Sequence, residues 1–378
     1  MKLLHLSDLH LGKRVNGFSQ IPDQKHILAQ IMTIVNDEHP DAVLIAGDVY
    51  DKSVPSAEAV ELFDSFLTEL SRSSTDVFII SGNHDSAERI AFGGRLLSAA
   101  RVYVSPVYDG TVLSVDKQDE FDTVRFHLLP FLKPANVRCR FPEAKIENYS
   151  DALETALSVC DLDPAVRHVL LTHQLVTGAE RSESEDISIG GSDNVDARVF
   201  DGFDYVALGH LHRPQNIGTN LRYCGTPLKY SFSEATHEKS VTIVNLGPKG
   251  DVTIDTIPLT PLHDMKRIRG SYMELMDRSY YLNSGLPECY LHITLTDEED
   301  IPDAIGRLRS VYPYIMQLDY DNRRTRLRQN PLEEAVQPES SPMELFSLLY
   351  EKQNNAPMGE EETAYIASLM ERIWEGNA

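Results

Sequence analysis

The chain opens on a short apolar run, Lys2 to Leu6, that breaks into the polar segment Ser7 to Leu11. From Ile21 to Asn36 apolar residues recur with a helical period, at Ile27, Leu28, Ile31, Ile34 and Val35. Asp41 to Ala46 is a second buried strand ending at Gly47-Asp48, and Ser56 to Leu70 is a helix with a broad apolar face and Pro55 near its start. Asp76 to Ile80 is a third strand, followed by Gly82-Asn83-His84-Asp85. Strand, polar loop and helix recurring in this way predict a layered α/β domain with its chemistry along one sheet edge.

Farther on, Val102 to Val104, Thr111 to Val115 and Thr123 to Leu129 are β segments, and Ser150 to Val159 is a helix. His168 to Thr172 is a buried strand leading to His173, and Tyr205 to Leu208 leads to Gly209-His210. Val241 to Leu246 and Val252 to Leu259 pair around the turn Gly247-Pro248-Lys249-Gly250, closing a domain at 1–262. Beyond it, a strand at Tyr290 to Leu295, a helix at Pro302 to Val311 and a strand at Ile315 to Tyr320 form a small α+β domain at 263–330. The Pro- and Glu-rich stretch 331–340 reads as a linker. It leads to two helices in 341–378, one opened by Ser341-Pro342-Met343-Glu344 and one over Glu361 to Glu375. Two short helices bury little surface by themselves, so their apolar sides need a partner, either the body of this chain or another protein.

A length of 378 residues with 42% apolar content allows a large core, and no apolar stretch approaches the roughly eighteen residues that span a bilayer. The opening residues lack the long apolar segment of a signal peptide, which makes the cytoplasm the expected compartment and excludes a membrane partner. Cys139, Cys160, Cys224 and Cys289 are spaced too widely for a zinc knuckle and read as reduced thiols. The net charge of -23 excludes a protein coated in basic surface. It leaves nucleic acid open, because cations and local basic loops can supply the attraction.

Five polar clusters follow apolar runs: Asp8-Leu9-His10, Gly47-Asp48, Gly82-Asn83-His84-Asp85, Thr172-His173 and Gly209-His210-Leu211-His212. Two divalent cations about 3.5 to 4 Å apart need a shared oxygen ligand within a shell of oxygen and nitrogen donors. Asp48 suits the bridge. Asp8 and His10 alternate on one side of an extended segment, as do His210 and His212, while Asn83 offers an amide oxygen and His173 an imidazole. The mixed set favours manganese over magnesium, and tolerates zinc or iron. His84 is placed to meet a scissile phosphate or protonate a leaving oxygen, and Asp85 to orient an imidazole.

These motifs, with Ser81-Gly82-Asn83-His84-Asp85, Asp204 to Gln215 and the segment Tyr223 to Ser233, resemble the calcineurin-like metallophosphoesterase superfamily. Within it the chain is most similar to the bacterial nuclease subunits that pair with an SbcC-type coiled-coil ATPase in DNA double-strand-break repair. The resemblance implies a four-layer α/β sandwich flanked by helices, with a small α+β capping domain and C-terminal helices. It implies one metal on Asp8, His10, Asp48 and His212, a second on Asp48, Asn83, His173 and His210, manganese as the metal, and His84 as the catalytic histidine. It further implies a homodimer formed by helices near the site, a heterotetramer with the ATPase, and double-stranded DNA ends and hairpins as substrate. Implied activities are an ATP-independent 3′ to 5′ exonuclease and an ATP-regulated endonuclease. No nucleotide-binding motif occurs in the chain, so ATP acts through the partner, which the pair from Pro342 to Glu375 is expected to dock.

The site does not choose among phosphate substrates. Arg323, Arg324, Arg326 and Arg328 put four arginines in six positions, either a phosphate contact or a cluster paired with nearby acids. Lys13, Arg14, Arg89 and Arg213 flank the ligand motifs as further DNA-contact candidates. A small-molecule phosphodiesterase with the same metals, or a scaffold that keeps the fold without chemistry, are the competing readings.

Overall fold

Lys2–Leu6, Ala42–Ala46 and Asp76–Ile80 are strands buried on both sides, as their near-continuous apolar character requires. The structure is a computed structural model that describes residues 1–180, 193–299, 301–323, 325, 343, 346, 347, 350 and 358–375. The three strands run parallel with Val102–Val104, and the antiparallel pair Ser240–Leu246 and Val252–Pro258 extends the other edge into a six-stranded sheet. A second six-stranded sheet has Leu221–Tyr223, Tyr205–Gly209, Arg167–His173 and Asp122–Leu128 parallel at its centre. Gln215–Ile217 and Leu113–Asp119 are its antiparallel edges.

Alternation along each strand divides the core. Leu3, Ala42, Leu44, Phe78 and Ile80 meet Val124, Phe126, Val169, Leu171 and Ala207 between the sheets. Phe78 and Phe126 stack there at a centroid distance of 4.2 Å. Leu4, Leu6, Val43 and Ile45 face outward onto Ile21–Glu38 and Ala57–Arg72, and Leu170, Val206 and Leu208 onto Tyr149–Leu157. The order helix, sheet, sheet, helix is the four-layer sandwich. Leu6 pairs with Ile45 and Ala46 with Ile80, while Gly209 pairs with His173, so the parallel strands of each sheet finish nearly level. Their C-terminal ends share one edge.

On Ala57–Arg72, Ser56 caps the first turn by accepting from the Ala59 N–H, and Ala59, Phe63, Phe66 and Leu70 are buried. Val60, on the same expected apolar side, is 44% exposed. The strand expected at Thr111 to Val115 runs instead over Leu113–Asp119, an edge strand whose second half is Asp116-Lys117-Gln118-Asp119 and therefore carries no apolar signal. The helix expected at Pro302 to Val311 is confined to Ala304–Arg309.

Met265–Gly270, Tyr290–Leu295 and Ile315–Tyr320 form a parallel three-stranded sheet with a core of its own, including Leu275, Leu291, Ile293, Leu308 and Tyr312. Its opposite face sends Met265, Tyr290 and Met316 into the main core. The expected linker at 331–340 and most of the helix from Pro342 lie outside the described residues. Glu360–Glu375 is a helix, with Tyr365 63% exposed. Among the described residues no helix is long and apolar enough to cross a membrane, and the four cysteines are free thiols.

Candidate metal centre

The ligand loops leave the strand ends in strained conformations. Asp8, His10, Asp48 and His210 all have positive φ, 53°, 44°, 49° and 100°, a region that non-glycine residues seldom occupy and that surrounding structure must enforce. Backbone bonds do so: Asp8 N–H donates to the Gly47 carbonyl, His10 N–H to that of Asp48, and Leu11 N–H to that of Val49. Two glycines make the approach possible. A Cβ on Gly209 would stand 1.9 Å from the Ala46 carbonyl oxygen, and one on Gly82 would stand 2.1 Å from Asp48 Oδ1.

All seven expected ligands converge. Asp48 Oδ2 lies 3.3 Å from His173 Nε2 and 3.7 Å from His10 Nε2. The Asn83 amide oxygen lies 3.0 Å from His173 Nε2 and 2.9 Å from His210 Nδ1. Asp8, His10 and His212 bring ligand atoms within 4.8 Å of one another, as do Asp8, Asp48 and His173. His173 donates its other nitrogen, Nδ1, to the Ala46 carbonyl at 2.8 Å, which aims Nε2 inward. His84 is a quarter exposed; its backbone N–H donates to Asp48 Oδ1 and its Nδ1 lies 3.1 Å from the Asp51 carbonyl, leaving Nε2 4.0 Å from Asp48 Oδ2.

Burial and the mutual attraction of carboxylates and imidazoles set the electrostatics of the ligands. Burial pushes the Asp8 carboxyl up to about 6, against the pull of His173. Burial acts on Asp48 in the same sense, but His173, His10 and His84 outweigh it and hold that carboxyl well below the usual range. His173, despite burial, is drawn up to about 9 by Asp48 and Asp8. His210 is pressed down to about 3 by burial, and His10 far below its ordinary value. Both ring nitrogens of His10, 1% exposed, lack a hydrogen-bond partner. A buried imidazole with two orphaned nitrogens beside two carboxylates, with no thiolate in the set, fits divalent cations held by oxygen and nitrogen.

Asp85 sits differently from expectation. Rather than orienting an imidazole, its carboxylate accepts the backbone N–H groups of Val49, Tyr50 and Gly82 at 3.1, 2.9 and 3.0 Å, tying the Asp48 loop to the Asn83 loop. Burial pushes it up to about 6, with Asp48 acting in the same direction. Several contributors carry no signal in the sequence pattern. Gln24 donates to the His10 carbonyl, Tyr230 to the Leu9 carbonyl, and Glu234 Oε1 lies 3.3 Å from His212 Nδ1.

The basic candidates are dispersed. Lys13 Nζ is 2.6 Å from Asp51 Oδ1. Arg14 is exposed and donates to the Gly17 carbonyl, Arg89 is exposed on Ala87–Ile90, and Arg213 pairs with the exposed Glu180. Arg323 is exposed at the end of the small sheet, whereas Arg324, Arg326 and Arg328 lie outside the described residues.

A family model described as calcineurin-like phosphoesterase matches residues 1–214. A second, described as the type 5 capsule protein repressor C-terminal domain, matches residues 261–354. The SbcD component of the nuclease SbcCD from Staphylococcus epidermidis is 33% identical over 323 residues, covering 84% of this chain and 85% of that one. Among solved structures, a dimetal phosphatase from Danio rerio is 12% identical with a TM-score of 0.40, covering 69% of this chain and 98% of that one. The protein TT1561 of Thermus thermophilus is 11% identical with a TM-score of 0.37, covering 68% and 98%. With its paired sheets carrying the ligand loops at one edge, the chain belongs to the calcineurin-like phosphoesterases and, among them, to the SbcD family.

Proposed function

We propose that this chain is a two-metal DNA nuclease that cleaves duplex ends in the 3′ to 5′ direction and, with an SbcC-type ATPase, cuts hairpins and blocked ends. The observation that carries the reading is the convergence on Asp48, whose Oδ2 faces both His173 and His10 while its Oδ1 is held by the His84 N–H. Asp8, His10, Asp48 and His212 would hold one cation, and Asp48, Asn83, His173 and His210 the other, with manganese favoured by the nitrogen-rich set. When bound, such a pair supplies an activated water and neutralises charge developing on phosphate oxygens.

The protein's own part is positioning. Asp85 holds the two ligand loops in register through three backbone N–H groups. His84, a quarter exposed, is fixed through Nδ1 by the Asp51 carbonyl, and its Nε2 is the atom assigned to meet the scissile phosphate and give a proton toward the leaving 3′ oxygen. The small domain at 263–330 caps the site and, with Arg323, Arg89, Arg14 and Arg213, steadies the DNA backbone. The exposed side chains of Val60, Phe92 and Leu96, at 44%, 85% and 82%, are the apolar surface offered to a homodimer. Glu360–Glu375 and the segment before it dock the ATPase, for which Tyr365 remains exposed.

The test is manganese-dependent digestion of end-labelled duplex DNA by this chain, with and without its coiled-coil ATPase, against Asp48→Ala. The expected result is cleavage that Asp48→Ala abolishes. A wild-type rate confined to a generic aryl phosphodiester, with none on DNA, would replace the nuclease with a small-molecule esterase.

A further inference from the structure

One buried ion pair lies beside the ligands without belonging to them. Lys239 and Glu234 have side-chain exposures of 4% and 0%, and Lys239 Nζ is 2.5 Å from Glu234 Oε2. The other Glu234 oxygen lies 3.3 Å from His212 Nδ1, and Lys239 Nζ also donates to the His212 carbonyl at 2.8 Å and to Thr226 Oγ1 at 2.6 Å. The pair therefore grips both the ring and the backbone of one histidine. A buried ion pair gives a fold little net stability, because desolvation offsets the attraction. Its usefulness has to be sought in what it orients.

The Nδ1 atoms of two other inward-facing imidazoles meet backbone carbonyls, Ala46 for His173 and Asp51 for His84. At His212 the group facing Nδ1 is a carboxylate. A carboxylate accepting from Nδ1–H fixes the tautomer, leaves Nε2 for the metal and makes the ring a stronger donor. The Lys239 ammonium compensates the Glu234 charge, so the device adds no net negative charge to a site already holding Asp8 and Asp48.

We propose that Glu234 and Lys239 are a positioning pair that orients His212 and so tunes the affinity of one metal, the one shared by Asp8, His10 and Asp48, while leaving the other largely untouched. The proposal rests on the two-metal reading above. Neither residue touches substrate or the reacting atoms; both act through His212. Glu234→Gln keeps an oxygen that accepts from Nδ1–H, whereas Glu234→Ala removes it.

The experiment is a titration of the full chain with Mn2+ alone, following free ion by electron paramagnetic resonance and folding by circular dichroism. Wild type is expected to take up two ions. Glu234→Ala should weaken one of them by about 10- to 100-fold, the usual consequence of removing an outer partner, and leave the other within about threefold. Glu234→Gln combined with Lys239→Met, which removes both charges together and guards against misfolding, should restore most of the lost affinity. A folded Glu234→Ala protein that binds both ions as wild type does, or loses both equally, overturns the proposal. His212→Ala serves to separate the two levels: retention of both ions there, or fewer than two in wild type, overturns the ligand reading and the positioning pair with it.

Discussion

Replacing Asp85 by alanine strips three backbone donors of their acceptor, because Val49, Tyr50 and Gly82 N–H all end on this carboxylate. Val49 and Gly82 are buried and Tyr50 is half-buried, so two of the three donors cannot readily turn to water. Leaving a buried donor unsatisfied costs about 1–3 kcal/mol, which puts the simple sum for the two buried donors at roughly 2–6 kcal/mol. Two effects reduce it. The loops relax together, so the losses are not additive, and burial, which pushes this carboxyl up to about 6, is a cost that disappears with the charge. The expected loss is about 2–4 kcal/mol, large against a total stability of about 5–15 kcal/mol. Urea unfolding read by circular dichroism should show a lower midpoint at unchanged slope, with Asp85→Asn intermediate because one amide oxygen still accepts. Manganese uptake should weaken in parallel, since the tie joins the loops of Asp48 and Asn83. An Asp85→Ala protein with the wild-type midpoint and wild-type uptake would refute the role given to this residue and return it to the histidine-orienting function expected from its place in the motif.

Gly82→Ala should abolish cleavage and metal uptake while the protein stays folded, because the new Cβ would stand 2.1 Å from Asp48 Oδ1 and 2.4 Å from Asp48 N; dialysis against manganese followed by elemental analysis checks it. His5 is fully buried with Nδ1 2.9 Å from the Tyr205 hydroxyl, and burial presses its imidazole down to about 3, below the value of about 6.5 it has when unfolded. The unfolded state then binds more protons, so the stability His5 allows is present above pH ~6.5 and falls as pH drops toward 3, by at most about 1.4 kcal/mol per pH unit. Urea midpoints taken with a chelator from pH 7 to 4.5 should fall less steeply in His5→Gln, and identical slopes would count against it. Phe126→Ala, which empties the ring stacked on Phe78 between the sheets, should cost about 3–5 kcal/mol in the same assay without altering the ligand loops.

The seven converging side chains were readable because each follows a strand whose apolar run is visible locally, and because parallel strands that finish level must bring their exit loops together. What supports them was not readable. Glu234 lies 22 residues beyond His212, in a segment with no periodicity, and only the fold reveals that it meets that ring. Asp85 is the opposite case: a carboxylate beside a histidine suggests a side-chain partnership, whereas its donors in three dimensions include backbone N–H groups of another loop. Met265–Gly270 carries no strand signal because Lys266, Arg267 and Arg269 hide its alternation, its buried residues being Met265 and Gly270 at the two ends. Arg222 hides Leu221–Tyr223 in the same way, since this charged side chain is buried and bonded to Thr242 and Asn216.

The same distinction explains how the small sheet is joined to the hydrolytic edge. Asp23 and Gln24 are consecutive residues in the first turn of Ile21–Glu38, both 1% exposed. Asp23 accepts from the His263 backbone N–H at 3.0 Å, faces His263 Nδ1 at 3.1 Å and accepts from the Tyr290 hydroxyl at 2.7 Å, so it belongs to the small sheet's attachment. Gln24 donates to the His10 carbonyl at 2.8 Å and accepts from the Gly12 N–H at 3.0 Å, so it belongs to the ligand loop. One helical turn thus holds both, and its backbone hydrogen bonds are far stiffer than a linker. Buried polar groups cannot be released singly without a cost of about 1–3 kcal/mol each. A displacement of the small sheet therefore either breaks the Asp23 contacts or carries the turn, and with it the backbone of His10, along. If the small domain seats the duplex as proposed, binding there is mechanically continuous with the geometry of the first metal site, and the two domains act on substrate as one body.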